Sequence, residues 1–223
     1  MIYDFHTHTF FSDGLNSPIE LIRYAASYGY RCIAITDHAS YSNIDFMIDN
    51  VKKDCQLAQK YWDIIAIPGV ELTNVPAKDL DNMAGYAKQK GARLVIAHGQ
   101  SIVERVEEGT NREAVNSKNI DILAHPGIIS ESEASAAARN GIFLEVSARS
   151  GHSLGNGRTV AMGRKAGARF LINTDSHSHS NLFKDRMQEK VGLGAGLKQQ
   201  EVEKIIEVNT KMLLEKLGIM QRF

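Results

Sequence analysis

Residues 2–8 read Ile2-Tyr3-Asp4-Phe5-His6-Thr7-His8, an apolar run with the pattern of a β-strand that passes directly into two histidines. Five further apolar runs end in the same way, next to a histidine or an acid. They are residues 32–35 before Asp37 and His38, 64–67 before Glu71, 94–97 before His98, 122–124 before His125, and 170–172 before Asp175 and His177. The ends of successive parallel strands share one rim of a barrel. The repetition therefore predicts an enzyme with a metal site at that rim.

Seven strand candidates are expected in total, because residues 142–146 form one more apolar run of the same kind. The near-continuous apolar character of these runs is typical of strands buried on both faces of a parallel sheet. Alternating strands and helices form either an open, doubly wound sheet or a closed barrel. Candidate ligands follow nearly every strand, whereas an open sheet would collect them at one switch point. We therefore expect a single α/β domain over residues 1–223, built as a TIM-like barrel.

Three local patterns predict how connecting segments fold. Asn43 is expected to cap a helix over residues 44–60, because its side-chain oxygen can accept from the free N–H groups of the first turn. Ser130 and Glu133 have the spacing of a capping box. Residues 181–196 are polar and rich in glycine, so they are expected to form a surface loop that covers the site.

The composition favours a soluble enzyme over a membrane or nucleic-acid-binding protein. Lysine and arginine together number 26, as do aspartate and glutamate, and this balance disfavours a dedicated nucleic-acid binder, whose binding face is usually basic. No apolar run approaches the roughly 20 residues that span a bilayer, and the N-terminus lacks the pattern of a secretory signal. Two cysteines, Cys32 and Cys55, are too few for a disulfide framework. We therefore expect a cytoplasmic protein without a membrane partner.

The candidate ligands are all histidines and acids. His6 and His8 alternate along an extended segment, so both imidazoles point to the same side. Imidazole and carboxylate without thiolate suit Zn²⁺, Mn²⁺ or Fe²⁺. The candidates exceed what one ion needs when positions stay open for water and substrate, so we expect two or three divalent ions. The candidate ligands are His6, His8, Asp13, His38, Glu71, His98, His125, Asp175 and His177.

These residues belong to motifs that follow one another in order along essentially the whole chain. The motifs are His6-Thr7-His8, Ser12-Asp13-Gly14, Thr36-Asp37-His38, Gly69-Val70-Glu71, His98, Ala124-His125-Pro126-Gly127 and Asp175-Ser176-His177. The ordered set resembles that of the PHP family (polymerase and histidinol phosphatase). The resemblance implies a distorted seven-stranded βα barrel with a trinuclear metal site. It also implies three ligand sets, namely His6, His8, Glu71 and Asp175; Glu71, His98 and His125; and Asp13, His38 and His177.

Clustered divalent cations favour transfer of a phosphoryl group to water. We expect a metal-bridging hydroxide to attack phosphorus in line, with Glu71 and Asp175 as the catalytic carboxylates that hold the ions. His152 comes just after the penultimate strand candidate, on the same rim, where it can give a proton to the leaving group. Arg149, close by, and Arg186, after the last motif, are the candidates for contact with the substrate phosphate.

Four functions are open on the sequence alone. We favour hydrolysis of a small phosphomonoester, as by histidinol-phosphate phosphatase, because the chain is compact and not basic. A phosphodiesterase or nuclease that acts on nucleotides or nucleic-acid ends is the main alternative. A third function is that of a non-catalytic binding subunit, as in ribonuclease P, although the complete ligand set argues against it. The fourth is hydrolysis of a C–N bond, because amidohydrolase barrels also have His-x-His after the first strand. Those barrels usually have a longer chain and a metal-bridging lysine, and no lysine ends a strand candidate here. A homo-oligomer is also left open.

Overall fold

Seven parallel strands form a nearly closed barrel in the computed structural model of the protein, which describes residues 1–219. The seven barrel strands are β1 (Ile2–Asp4), β2 (Tyr30–Ile35), β4 (Ile65–Leu72), β5 (Leu94–His98), β6 (Ile122–Ala124), β7 (Phe143–Ser147) and β8 (Phe170–Asn173), and the short β3 (His38–Ala39) lies beside them. Neighbours pair in the order β1-β2-β4-β5-β6-β7-β8, and the two-residue β3 pairs with β4. The structure confirms the predicted TIM-like barrel and its strands. The predicted domain of residues 1–223 includes 220–223, which lie outside the described residues.

The barrel is closed by polar contacts between the two ends of the sheet. Thr7, after β1, forms an isolated parallel bridge with Ser176, after β8, and the His8 N–H donates to the Ser176 carbonyl oxygen at 2.8 Å. The buried Asp4 carboxylate in β1 accepts from the Thr174 N–H at 3.1 Å. Burial raises the pKa of Asp4 to about 7, although hydrogen bonds from Thr174 oppose the shift. These contacts bring the segments that follow β1 and β8 to the same rim.

Helices cover the outside of the barrel. The capping box predicted for Ser130 and Glu133 is present. Asn43 is the N-cap residue of α2, as predicted, but its side chain does not cap the helix: its amide donates to the His38 carbonyl oxygen at 2.9 Å and its oxygen accepts from the Ser40 N–H. Within residues 1–219, none of the helices is both long and apolar enough to cross a membrane. The helices are α1 (Pro18–Ser27), α2 (Ile44–Tyr61), α3 (Leu80–Lys90), α4 (Thr110–Asn116), α5 (Glu131–Asn140), α6 (Asn156–Ala166), α7 (Met187–Gly194), α8 (Gln199–Lys204) and α9 (Thr210–Lys216), with a π-helical turn at Ile205–Asn209 and 3₁₀ turns at Ala77–Asp79, His152–Gly155 and His179–Asn181.

The loop predicted over residues 181–196 is wrong in its second half, because α7 lies within it. The Gln188 side chain is buried and donates to the carbonyl oxygens of Tyr3 and Ile172, both at 2.8 Å. Gly192 packs so closely on the last strand that a Cβ there would lie 2.8 Å from the Ile172 side chain. A helix that is held by one amide and one glycine shows little apolar periodicity, so its sequence resembles a loop.

The core has two layers that the sheet separates. Inward-facing side chains such as Ile96 and Phe143 fill the barrel, together with Leu213 and Leu214 of α9. Residues on the outer face of the strands pack against the other helices. The α9 leucines close the amino-terminal end of the barrel. Because apolar residues fill the interior and that end, polar side chains collect at the carboxyl-terminal ends of the strands.

The loops after β5 and β6 are fastened to each other. Asn111 accepts from the Gln100 N–H at 2.9 Å and donates to the Pro126 carbonyl oxygen at 2.8 Å. Gly127, with a φ of +59°, approaches Gln100 so closely that a Cβ would collide with its carbonyl oxygen. This close approach fixes the two segments that carry predicted ligands from β5 and β6.

Gly127→Ala is expected to destabilise the fold more than Gly141→Ala. Both glycines have left-handed φ values, +59° and +67°, which cost an alanine about 1–2 kcal/mol. Within the described chain, a Cβ at Gly141 meets no non-neighbouring heavy atom within 4 Å, whereas a Cβ at Gly127 meets backbone. The free energy of unfolding should therefore fall by about 1–3 kcal/mol more in Gly127→Ala than in Gly141→Ala, as measured by urea unfolding of both variants. Equal free energies of unfolding would show that the two loops separate without cost.

Candidate metal centre

The structure brings all nine predicted ligands to the carboxyl-terminal rim of the barrel. Each lies in a strand or in the loop that follows one, so the shared rim accounts for their convergence. Their nitrogen and oxygen atoms form overlapping groups, in each of which the atoms lie within 4.8 Å of one another. The groups are His8, Asp13, His38 and His177; His6, Glu71 and His125; His6, His8 and Asp175; His38, Glu71 and His98; and His125, His152 and Asp175.

Glu71 lies at the centre of this cluster and is fully buried. Its Oε1 lies 3.1 Å from His98 Nδ1 and 3.4 Å from His125 Nε2. Its Oε2 lies 3.3 Å from His6 Nε2 and 2.8 Å from His38 Nδ1. Burial alone would raise the pKa of Glu71, but the charges of His6, His98 and His38 hold it well below its usual range. The two oxygens of Glu71 thus face different imidazoles, an arrangement that would suit a carboxylate shared between ions.

Several polar atoms of the cluster are crowded together but make no hydrogen bond. Among the described residues, this holds for the buried atoms Glu71 Oε2, His8 Nδ1 and both ring nitrogens of His125. His6 Nε2 and His8 Nε2 lie 3.0 Å apart. A buried polar atom without a partner costs about 1–3 kcal/mol, and a bound ion would remove this cost. Imidazole and carboxylate lone pairs that converge in this way fit divalent cations such as Zn²⁺, Mn²⁺ or Fe²⁺.

Asp175 joins the cluster from the segment after β8 and has a strained backbone. Its Oδ1 lies 3.2 Å from His8 Nε2, and its Oδ2 lies 2.8 Å from His152 Nδ1. Burial would raise the pKa of Asp175, but His6, His152 and His8 lower it well below its usual value. Asp175 and His125 have φ values of +53° and +26°, and such conformations cost about 1–3 kcal/mol each. Strain at two predicted ligands indicates that the positions of their side chains matter for function.

Asp13 is more exposed than the other predicted ligands, with 52% of its side chain accessible. Its Oδ2 lies 3.0 Å from His177 Nε2, and its Oδ1 lies 3.7 Å from His38 Nε2. Partial burial opposes its ionisation, but His177 and His38 lower the pKa of Asp13. The loop that carries Asp13 is anchored by the buried Asp37, which accepts from the Thr9 N–H and hydroxyl, both at 2.7 Å. Asp37 therefore positions this loop.

Glu145 in β7 is a buried acid that the strand pattern alone did not assign to the site. Its Oε2 lies 2.8 Å from His6 Nδ1 and accepts from the Asn173 amide at 2.9 Å. Burial would raise the pKa of Glu145, but His6 lowers it. A carboxylate on the far ring nitrogen of a ligating histidine fixes the ring orientation and raises its basicity. The sequence held a signal for this role, since Glu145 is the one acid within the apolar run 142–146.

Glu104 covers one side of the cluster from the loop between β5 and α4. Its Oε2 lies 2.7 Å from His98 Nε2, and its Oε1 lies 3.2 Å from His152 Nε2. The hydrogen bond from His98 is the largest cause that lowers the pKa of Glu104 to about 2. Burial opposes a charge on His98, but Glu71 and Glu104 raise its pKa to about 10. No sequence pattern marks Glu104, because its place depends on the fold of an irregular loop.

The two arginines predicted to contact phosphate lie in different surroundings. Arg149 donates to the Asp175 carbonyl oxygen at 3.3 Å, and its Nη1 contacts His177 Nδ1 at 2.5 Å. Arg186 has 74% of its side chain exposed and donates to the Glu189 carboxylate from Nε at 2.9 Å. The structure therefore brings Arg149 to the cluster, whereas Arg186 lies on the surface at the start of α7, paired with Glu189.

The chain is similar to known proteins in sequence and in fold. The sequence matches the family profile described as PHP domain over residues 4–212. It is 46% identical over 218 residues to an uncharacterized protein of Methanocaldococcus jannaschii, and the aligned region covers 97% of this chain and 100% of the other. It is 25% identical over 210 residues to ribonuclease P protein component 3 of Natronomonas pharaonis, and the aligned region covers 88% of this chain and 80% of the other. A proposed histidinol phosphatase from Listeria monocytogenes shares the fold with a TM-score of 0.62 at 11% identity, over 83% of this chain and 99% of that one.

Glu145→Ala is expected to weaken metal binding by about 10–100-fold, because His6 loses the carboxylate that orients its ring. Glu145→Gln keeps an oxygen that can accept from the His6 Nδ1–H, so its affinity should lie between those of the wild type and Glu145→Ala. Chelator competition with Mn²⁺ gives the dissociation constants of the three proteins, and thermal unfolding shows whether each is folded. Equal dissociation constants in folded proteins would leave Glu145 with a packing role only.

Proposed function

The chain belongs to the PHP domain family, and from this premise we propose that it is a metal-dependent phosphoesterase that hydrolyses the phosphomonoester of a small molecule. The observation that carries the proposal is the convergence of imidazole and carboxylate side chains on one rim of the barrel. Bound divalent ions would lower the pKa of water and neutralise charge on the phosphate oxygens. Glu71, shared among several imidazoles, and Asp175 are the carboxylates that would hold two or three such ions.

The chain's own residues supply phosphate binding and proton transfer. Arg149 lies beside Asp175, where its guanidinium can form two parallel hydrogen bonds with a phosphate. His152 is oriented through Nδ1 by Asp175, and its Nε2 lies beside Glu104 at the mouth of the site. This position suits a group that protonates the leaving oxygen, and such a group contributes about 10²–10⁴-fold to the rate.

The charges of the chain favour a small substrate over a nucleic acid. Basic and acidic residues are equal in number, whereas binding to a nucleic-acid backbone depends on an excess of lysine and arginine. Glu104 also places a half-exposed carboxylate at the mouth, where it would repel a polyanion. A small phosphorylated molecule is therefore the substrate that we favour.

A second candidate function is that of a protein subunit in a particle like ribonuclease P. It is supported by the 25% identity to component 3 of Natronomonas pharaonis, which extends over most of both chains. The clustered ligand groups favour catalysis instead, because a subunit that only binds RNA has no need of a buried set of metal ligands.

The proposal is tested by assaying the metal-reconstituted protein against histidinol phosphate, an aryl phosphate, a bis-aryl phosphodiester and a single-stranded oligonucleotide. We expect hydrolysis of the two monoesters and no hydrolysis of the diester, because Arg149 and the metal ligands suit a terminal phosphate. Activity on the diester or the oligonucleotide without the monoesters would favour a nuclease. RNA binding without hydrolysis of any substrate would favour the subunit.

His152→Gln is expected to lower kcat by about 100-fold for an alkyl phosphate and by much less for an aryl phosphate, because an aryl oxide leaves without a proton. His179→Gln is the matched control, since His179 stacks on Tyr24, with ring centroids 4.0 Å apart, and belongs to none of the ligand groups. Steady-state kinetics of both variants on both substrates give the comparison. An equal loss on the two substrates would exclude His152 as the proton donor.

A further inference from the structure

A groove of about 790 Å³ opens from the metal centre between the segment after β7 and the segment after β8. Its wall includes Arg149, Asp175, Lys184, Met187 and Lys190, and we call it the leaving-group groove. We propose that this groove binds a second anionic group, carried by the leaving group of the substrate. The proposal rests on the proposed phosphoesterase function and narrows its substrate class.

The groove is continuous with the predicted metal ligands. Asp175, which contacts His8 at 3.2 Å, forms part of its wall. Arg149 lies at the same end, with its Nε 3.9 Å from Asp175 Oδ2. A phosphate that contacts the ions and Arg149 would therefore have its ester oxygen at the entrance of the groove. A volume of this size holds an organic group in addition to a phosphate.

The far part of the groove is cationic. Lys184 and Lys190 line it, and among the described lining residues Asp185 is the one acid besides Asp175. The Lys184 ammonium lies 4.5 Å from the centre of the Tyr28 ring, which keeps it at the wall. Arg186 does not line the groove and is paired with Glu189. Two lysines and one acid, Asp185, give this part of the groove a net positive charge, which attracts a carboxylate or a phosphate.

The floor of the groove suits the carbon skeleton of a leaving group. Leu182 and Phe183 are buried in its wall, and Met187 is about half exposed there. The turn before α7 is held by two successive left-handed residues, Asp185 and Arg186, with φ values of +47° and +60°. Such strain persists only where the surrounding structure imposes it. An apolar floor between two cationic ends matches an organic phosphate with a second anion.

Another side of the mouth disfavours an anion. Glu104 places its carboxylate against His98 and His152 there. The neighbouring Val103 lies against Gly151, where a Cβ would be 3.1 Å from the Val103 side chain. A leaving group with a negative charge is repelled from the Glu104 side and attracted by the lysines, so the charges direct it into the leaving-group groove.

The test compares three non-hydrolysable phosphonates by calorimetry on the Mn²⁺-loaded protein. Phenylphosphonate has no second anion, 4-phosphonobenzoate adds a carboxylate, and 1,4-benzenediphosphonate adds a second phosphonate. We expect at least one of the two probes that carry a second anionic group to bind about tenfold or more tightly than phenylphosphonate. The affinity ratio should fall below about threefold in Lys184→Ala/Lys190→Ala and should be retained in Lys53→Ala, which alters an exposed lysine of α2.

Equal binding of the three probes, or a ratio that survives in the double variant, would overturn the proposal, as would failure of the wild type to bind any of them. Thermal unfolding of the double variant shows that it is folded. The probes separate the groove from the proposed function, because they need no hydrolysis. A tenfold ratio in the wild type that is lost in the double variant, together with no phosphomonoesterase activity, would refute the function alone. Activity with equal probe affinities would refute the groove alone.

Discussion

The buried carboxylate of Glu71 is the interaction on which the rim of the barrel depends. An anion without access to water is tolerated only if positive charge or hydrogen-bond donors surround it. Ring nitrogens of four histidines lie 2.8–3.4 Å from the Glu71 oxygens, and these histidines come from four different strand ends: His6, His38, His98 and His125. One buried side chain in β4 therefore contacts residues at the ends of β1, β3, β5 and β6. The same arrangement is what a set of divalent cations needs.

A second set of buried polar contacts holds the ligands where the sheet closes on itself. Asp4 of β1 accepts from Thr174 after β8. Glu145 of β7 contacts His6 after β1 and accepts from Asn173 at the end of β8. Buried hydrogen bonds with both partners fixed tolerate little displacement, because each unmade bond costs about 1–3 kcal/mol. The closure of the barrel and the orientation of His6 are thus determined by the same contacts.

The sequence was sufficient to predict the strands and the convergence of the candidate ligands, because each repeats one local rule in which an apolar run precedes a histidine or an acid. It was insufficient where a side chain has a partner far along the chain. Asn43 bonds to a strand carbonyl instead of its helix, and Gln188 anchors a helix by bonds to Tyr3 and Ile172. Arg186 and Glu104 lie in irregular segments whose direction depends on tertiary contacts. No periodicity in the sequence reports contacts of this kind.

The charges around the mouth of the site are asymmetric, and this asymmetry would orient a bound substrate. Glu104 is an anion on one side, whereas Arg149 and the two lysines of the leaving-group groove are cations on another. A phosphate held at Asp175 and Arg149 has its leaving group turned toward the cations, because charge repulsion acts on the Glu104 side. His152 touches both Asp175 and Glu104, so it lies next to the phosphate in that orientation. Asp175 therefore contacts the proposed proton donor His152 through its carboxylate and Arg149, at the entrance of the groove, through its carbonyl oxygen.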